Sequence, residues 1–234
     1  MMTSREILEK LRSFASPATV EGMARFGINS TTALGISMKT LRSIAKELGK
    51  NHRVAGELWV SGIHEARILA ALIDEPQKVT RRQMDTWVRD FDSWDVCDQC
   101  CLALFEKTPA AYEKALEWSA KKQEFVKRAG FAMMAVIAVH DKKAPDSSFI
   151  PFLRRIERES GDDRNFVRKA VNWALRQIGK RNTSLRHRAV AVARKLTESD
   201  SPAARWSGAD ALRELNNPTT VRRITLKKTT ASSR

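Results

Sequence analysis

The sequence predicts an all-α chain whose helices stack in pairs, and three observations predict it. Apolar residues recur at helical spacing through most of the 234 residues, and no run alternates convincingly as a strand would. Ser16-Pro17, Thr108-Pro109 and Ser201-Pro202 each put a capping residue before a proline, the arrangement of a helix start. A short basic motif ending in alanine recurs in the second half: Val126-Lys127-Arg128-Ala129, Val167-Arg168-Lys169-Ala170 and Arg186-His187-Arg188-Ala189.

Taken in order, the pattern places helices at roughly 3–14, 17–26, 37–48, 51–60, 62–73, 80–90, 93–105, 109–119, 123–140, 146–158, 163–179, 184–197 and 202–215, with ends good to a few residues. Gly49, Gly161 and Gly179 fall at helix ends or turns, where glycine closes a helix well. Arg128, Lys169 and Arg188 are 41 and 19 residues apart, which suits stacked helix pairs with one short unit. The architecture expected is a HEAT-like solenoid whose concave, basic groove carries these three residues in a row. One domain is expected over 1–216, followed by a flexible basic Ser/Thr-rich tail over 217–234.

Composition bounds the function. The formal net charge is +15, of which Arg222, Arg223, Lys227, Lys228 and Arg234 supply +5, leaving +10 on the folded body. A pI near 10.2 points to nucleic acid before an anionic membrane surface. No signal peptide or spanning segment is expected, and a cytoplasmic monomer is the simplest reading. The cysteines Cys97, Cys100 and Cys101 crowd one helix and are odd in number, which fits a reducing compartment and small buried side chains. His52, His64, His140 and His187 lack ligand spacing, so neither metal nor cofactor is expected.

Within this basic chain Phe91-Asp92-Ser93-Trp94-Asp95-Val96-Cys97-Asp98 is acidic and aromatic. Asp92 is expected as a helix N-cap with Asp95 at N3, as in a capping box. Asp98 lies a turn deeper, four residues after Trp94 and so on the same face. On helix 163–179 the apolar stripe is Val167, Ala170, Val171, Ala174 and Ile178. Lys169, Trp173, Arg176 and Lys180 form a separate basic face with an indole in it. That face is either a solvated surface with Trp173 packed on a neighbour, or a phosphate-gripping surface with an aromatic platform. Arg128 heads an almost wholly apolar helix and needs a carboxylate or a phosphate; Asp98 is the attractive partner, for chemistry or for a structural ion pair. Arg25 and Phe26 can bring a base and an aromatic to the groove, although packing of Phe26 serves equally. Trp59, Trp87, Trp118 and Trp206 are expected in the core.

Trp94-Asp95-x-x-Asp98, then Phe125-Val126-Lys127-Arg128, then Phe166-Val167-Arg168-Lys169-Ala170-x-x-Trp173-Ala174-x-Arg176, resemble the AlkD-like DNA alkylation repair enzymes. Gly22–Ile28 and Leu34-Gly35-Ile36 are similar too, so the resemblance covers residues 3 to 215. It implies a concave basic face for duplex DNA and a glycosylase that releases N3- and N7-alkylated purines without extruding the base. It also implies Asp98 as the catalytic carboxylate, Trp94 and Trp173 as aromatic walls, Arg128 as the nearby arginine and Arg176 as a backbone contact. Ser93 stands where family members often have another aromatic. Two other classes stay open on the residues alone: a non-catalytic DNA-binding helical protein, and a helical scaffold for protein partners.

Overall fold

The computed structural model describes residues 2–231. Fourteen α-helices and two short 3-10 turns account for the described chain, with no strand among those residues. They are α1 (Ser4–Ser13), α2 (Pro17–Ala24), α3 (Met38–Leu48), α4 (His52–Val60), α5 (His64–Ile73), α6 (Arg81–Arg89), α7 (Trp94–Ala103), α8 (Ala111–Trp118), α9 (Glu124–His140), α10 (Ile150–Glu159), α11 (Asn165–Gly179), α12 (Thr183–Thr197), α13 (Pro202–Leu215) and α14 (Pro218–Ala231). No helix among the described residues is long and apolar enough to cross a membrane. Side-chain caps explain six of the helix starts. Thr3 and Glu6 form a capping box at α1, and Ser37, Asn51, Thr80, Asn182 and Ser201 each accept from an amide of the turn they start. Pro109 is the exception among the proline signals, because α8 begins at Ala111.

Where one domain over 1–216 is expected, the chain divides into two compact units, residues 1–110 and 111–234. In the first unit α5 packs against α3, α4 and α7. Its burial is almost complete: Ala66, Leu69, Ala70 and Ile73 are wholly shielded from solvent. The second row of this unit is joined by indoles. Trp59 of α4 stacks on Trp87 of α6 at 4.0 Å and 3°, and its Nε1 donates to Asp90 at 2.8 Å.

In the second unit α9, α11 and α13 pack side by side as one row, and α8, α10 and α12 as the other. Phe131, Met133 and Met134 are fully buried on α9. Each such side chain contributes about 1.5–3 kcal/mol by leaving water. Gly130 and Gly208 permit the close approaches within a pair: a Cβ on Gly130 would lie 2.3 Å from the Ser119 amide, and one on Gly208 2.5 Å from the Ala193 carbonyl. These pairings correct the repeat. The third member of the row of α9 and α11 is α13, so Ala129, Ala170 and Ser207 correspond, at spacings of 41 and 37 residues. Among the described residues this row contains no short unit. Arg188 belongs to α12, in the other row, and does not align with Arg128 and Lys169.

Of the stretch expected as a flexible tail over 217–234, Pro218–Ala231 is helical as α14, with Thr220 and Ile224 at 7% and 3% exposure; residues 232–234 lie outside the described residues. Trp59, Trp87 and Trp118 are core, but Trp206 is 40% exposed on α13 beneath the Arg168 guanidinium, 4.6 Å from its centroid. Serine and glycine follow it on that helix in place of larger apolar residues.

Candidate nucleic-acid interface

Each unit presents its own set of the residues singled out above. In the first unit they are organised by the loop 25–36, which is held to the starts of α5 and α7. Glu65, 1% exposed, accepts from the amides of Leu34 and Gly35 at 2.7 Å and of Ile36 at 3.2 Å. The His64 amide donates to the Thr32 carbonyl at 3.2 Å. From α7's side, Ser93 Oγ accepts from the Asn29 amide at 2.7 Å, and Asp92 from Asn29 Nδ2 at 2.8 Å. Trp94 Nε1 donates to the Phe26 carbonyl at 3.0 Å.

This arrangement overturns the expected capping box. Ser93, not Asp92, is the N-cap residue of α7, and its hydroxyl serves the loop instead of its own helix. Asp95 sits at the second helical position, where Oδ1 accepts from the Val96 amide and Oδ2 lies 2.9 Å from His64 Nε2. Burial acts to lower the pKa of His64. The hydrogen bond to Asp95 and the charges of Asp95, Glu65 and Asp92 outweigh it, so the imidazole is held above its ordinary value. No local pattern signals this pair, since its members lie 31 residues apart on different helices.

The anchored loop leaves Phe26 72% exposed, so packing of this ring is excluded. Arg25 is exposed beside it. Trp94, half-buried, is fixed at its indole nitrogen. Asp98, also half-buried, lies one turn further along α7. Burial chiefly pushes the Cys101 thiol far up, with Cys97, Cys100 and Asp98 adding to it, and all three cysteines are free and buried. Those thiols are structural filling.

In the second unit Arg128 is 6% exposed, and its Nη1 donates to the Phe166 carbonyl in the first turn of α11 at 2.7 Å. The rings of Phe125 and Phe166 meet beside it at 5.5 Å. On α11 Val167, Ala170, Val171, Ala174 and Ile178 are buried, Lys169 is exposed and Trp173 is half-exposed, off the apolar stripe. Arg176 and Lys180 differ from Lys169. Arg176 lies 2.7 Å from Glu214 and 3.5 Å from Asp210, and Lys180 lies 2.6 Å from Glu214. Both join α11 to α13, and their charges are largely matched. Arg188 is exposed on α12.

The structure thus groups Arg25, Phe26, Trp94 and Asp98 in one unit, and Arg128, Lys169, Trp173, Arg176 and Lys180 on neighbouring helices of the other. Sequence reasoning missed the supporting groups His64, Glu65 and Asn29, and the exposed ring of Trp206.

Comparison with known proteins gives a consistent result. The sequence family described as DNA alkylation repair enzyme matches residues 7–215. An uncharacterised Listeria innocua protein, Lin0241, is 22% identical over 200 residues, covering 84% of this chain and 87% of that protein. A solved structure superposes with a TM-score of 0.74 at 19% identity, over 83% of each chain. It is described as a new family of proteins related to the HEAT-like repeat DNA glycosylases with affinity for branched DNA structures.

Proposed function

We propose, from the premise that this chain belongs to the DNA alkylation repair enzyme family, that it is a DNA glycosylase acting in the cytoplasm on N3- and N7-alkylated purines of duplex DNA. The observation that carries this reading is Trp94. Its indole nitrogen is tied to the Phe26 carbonyl at 3.0 Å, which fixes this half-buried aromatic residue one turn before the half-buried Asp98.

The chemistry needs little more. Alkylation at N3 or N7 makes the purine cationic, so the base leaves with the glycosidic electron pair as a neutral molecule without prior protonation. Water forms the new bond to C1′ and loses a proton, which the Asp98 carboxylate can take. The same carboxylate stabilises the positive charge on the sugar as the bond breaks, and the face of Trp94 attracts that charge as well. Lys169 and Arg25, both exposed, suit the backbone phosphates. Products are a free alkylated base and an abasic site.

The test is incubation with methylated duplex DNA and chromatographic detection of 3-methyladenine and 7-methylguanine under single-turnover conditions. Asp98→Asn should bind DNA at least as well as wild type and lose about 10²-fold or more in base release. Wild-type release by this variant removes Asp98 from the chemistry.

A second reading has its own observation. Ser93 is fully buried and used to hold Asn29, so this position provides no aromatic wall. The solved relative with branched-DNA affinity makes a non-catalytic, structure-specific DNA binder the alternative. Tight binding of branched DNA with no base released from any alkylated duplex selects it.

A further inference from the structure

Past the last residue covered by the family match, α14 contributes to a cleft of about 910 Å³ in the second unit. Its charged lining is Lys142, Lys180, Arg181 and Arg223, with Asp146 as the acid among them. Asp146 accepts from Asn182 Nδ2 at 2.7 Å, and Lys180 is matched by Glu214. Arg181 is differently placed. Its Nη atoms donate to the carbonyls of Ala138, Asp141 and Ala144, while the guanidinium sits 4.2 Å over the Phe149 ring. The nearby carboxylates of Asp141 and Asp146 offset part of its charge. Lys142 and Arg223 are exposed and form no ion pair with a described residue. Two elements that are distant in sequence, the turn after α9 and the new helix α14, thus bring unmatched cations to one concavity.

The cleft also continues a surface already described. Gln177 and Lys180, which line it, follow Trp173 by four and seven residues and share its face of α11. At about 1.5 Å per residue Lys180 lies roughly 10 Å along the helix from Trp173. A polyanion seated at Trp173 and running toward the end of α11 meets the cleft next.

We propose that this cleft, completed by α14, is a second phosphate-binding site, which grips the DNA backbone beyond the lesion nucleotide. It rests on the DNA-binding reading above, and its failure can be told from the failure of that reading. The purpose of the site is retention of flanking DNA, so it should act on affinity and not on bond cleavage.

The experiment compares two double variants of the full chain with the same charge change. Lys142→Ala with Arg223→Ala removes the two unmatched cations of the cleft. Lys143→Ala with Arg222→Ala removes their exposed chain neighbours, which do not line it. Binding to duplex DNA is titrated across salt. The cleft variant should shallow the log–log slope by roughly 1.8, about 0.9 for each phosphate no longer neutralised. The neighbour variant should leave the slope near wild type, and both should retain the wild-type single-turnover rate at saturating protein. Equal slopes for the two variants overturn the cleft while leaving DNA binding intact. A flat salt response in wild type overturns both readings together. Circular dichroism checks that α14 is retained; since Lys142 and Arg223 are exposed, the fold is expected to persist.

Discussion

Among the described residues the two units bury different charged side chains. In residues 1–110 the buried carboxylates are Glu65 and Asp74, with His64 beside Asp95, and in the second unit the buried charged side chains are the bases Lys114, Lys127 and Arg128. The acids of the first unit accept from amides and side-chain donors: Glu65 takes three loop amides, and Asp74 takes the Glu75 amide and Gln83. Two of the bases of the second link segments by donating to carboxylates and carbonyls: Lys127 lies 2.8 Å from Glu159 and 2.9 Å from Asp162, and Arg128 reaches the Phe166 carbonyl, while Lys114 pairs with Glu117 on its own helix. A carboxylate can only accept and a lysine or arginine only donate, so acids suit loops and helix starts while bases suit carbonyls and acids on neighbouring helices. The difference teaches that net charge is a poor map of a binding surface. Much of this chain's positive charge is structural, and the acidic box of the first unit is mostly a clamp that presents Phe26 and Trp94.

The contrast breaks most severely at Lys127. Its side chain is 10% exposed, as is that of Asp162, and Lys127→Ala leaves Asp162 and Glu159 without their shared cation. The expected loss is about 3 kcal/mol, the low end for a buried pair because Arg164 still holds Asp162. Urea melts measure it; a loss under about 1 kcal/mol would make Lys127 a surface charge after all. Burial acts to raise the Asp162 carboxyl, but Arg164 and Lys127 outweigh it and hold it at about 2. A depressed carboxylate stabilises the fold above its unfolded value of about 3.9 and loses that contribution as pH falls through the folded value. Wild type should therefore lose this contribution between about pH 4 and pH 2, and Lys127→Ala should lose less over the same window.

Asp95→Asn tests the clamp of the first unit. Read from the sequence as a cap residue, Asp95 should cost only about 1 kcal/mol on mutation. Paired with a buried His64, it should cost more in acid than in base. The folded pKa of His64 is raised above 6.5, so its stabilisation is fully present below that unfolded value and fades as pH rises through the folded one. Asp95→Asn should then destabilise by roughly 1–2 kcal/mol at pH 5.5 and by clearly less at pH 8.5. A penalty equal at the two pH values would return Asp95 to the helix cap.

Most of the helices and the stripe of α11 are legible in the sequence, because each is set by local period and by caps within one turn. What is not legible depends on tertiary contact. Asp95 has a local reading as a cap residue, and only the placement of His64 shows the pair it makes. Arg176 and Lys180 read as a phosphate face because Asp210 and Glu214, their partners, lie over 30 residues away. The repeat is obscured at its third member because α13 replaces the basic pair by Arg205-Trp206, while Arg186-His187-Arg188 imitates it in the other row. In the Thr-, Ser- and Lys-rich stretch after Asn217, Thr220 and Ile224 are the buried positions of α14.

The smallest expected effect separates free from committed charge on one helix. Lys169 and Arg176 sit seven residues apart on α11, nearly on one face, and carry the same charge. Lys169 is exposed, whereas Arg176 is held by Glu214 at 2.7 Å. If phosphates meet this face, Lys169→Ala should shallow the salt slope of duplex binding by roughly 0.9, the value of one neutralised phosphate. Arg176→Ala should leave the slope nearly unchanged, because Glu214 already neutralises that guanidinium, and should instead lower stability by up to about 1 kcal/mol. Parallel salt titrations and urea melts of the two variants give both numbers. Should Arg176→Ala flatten the slope as much as Lys169→Ala does, the pair with Glu214 must open on DNA, and the division between structural and available cations in the second unit would fail at that helix.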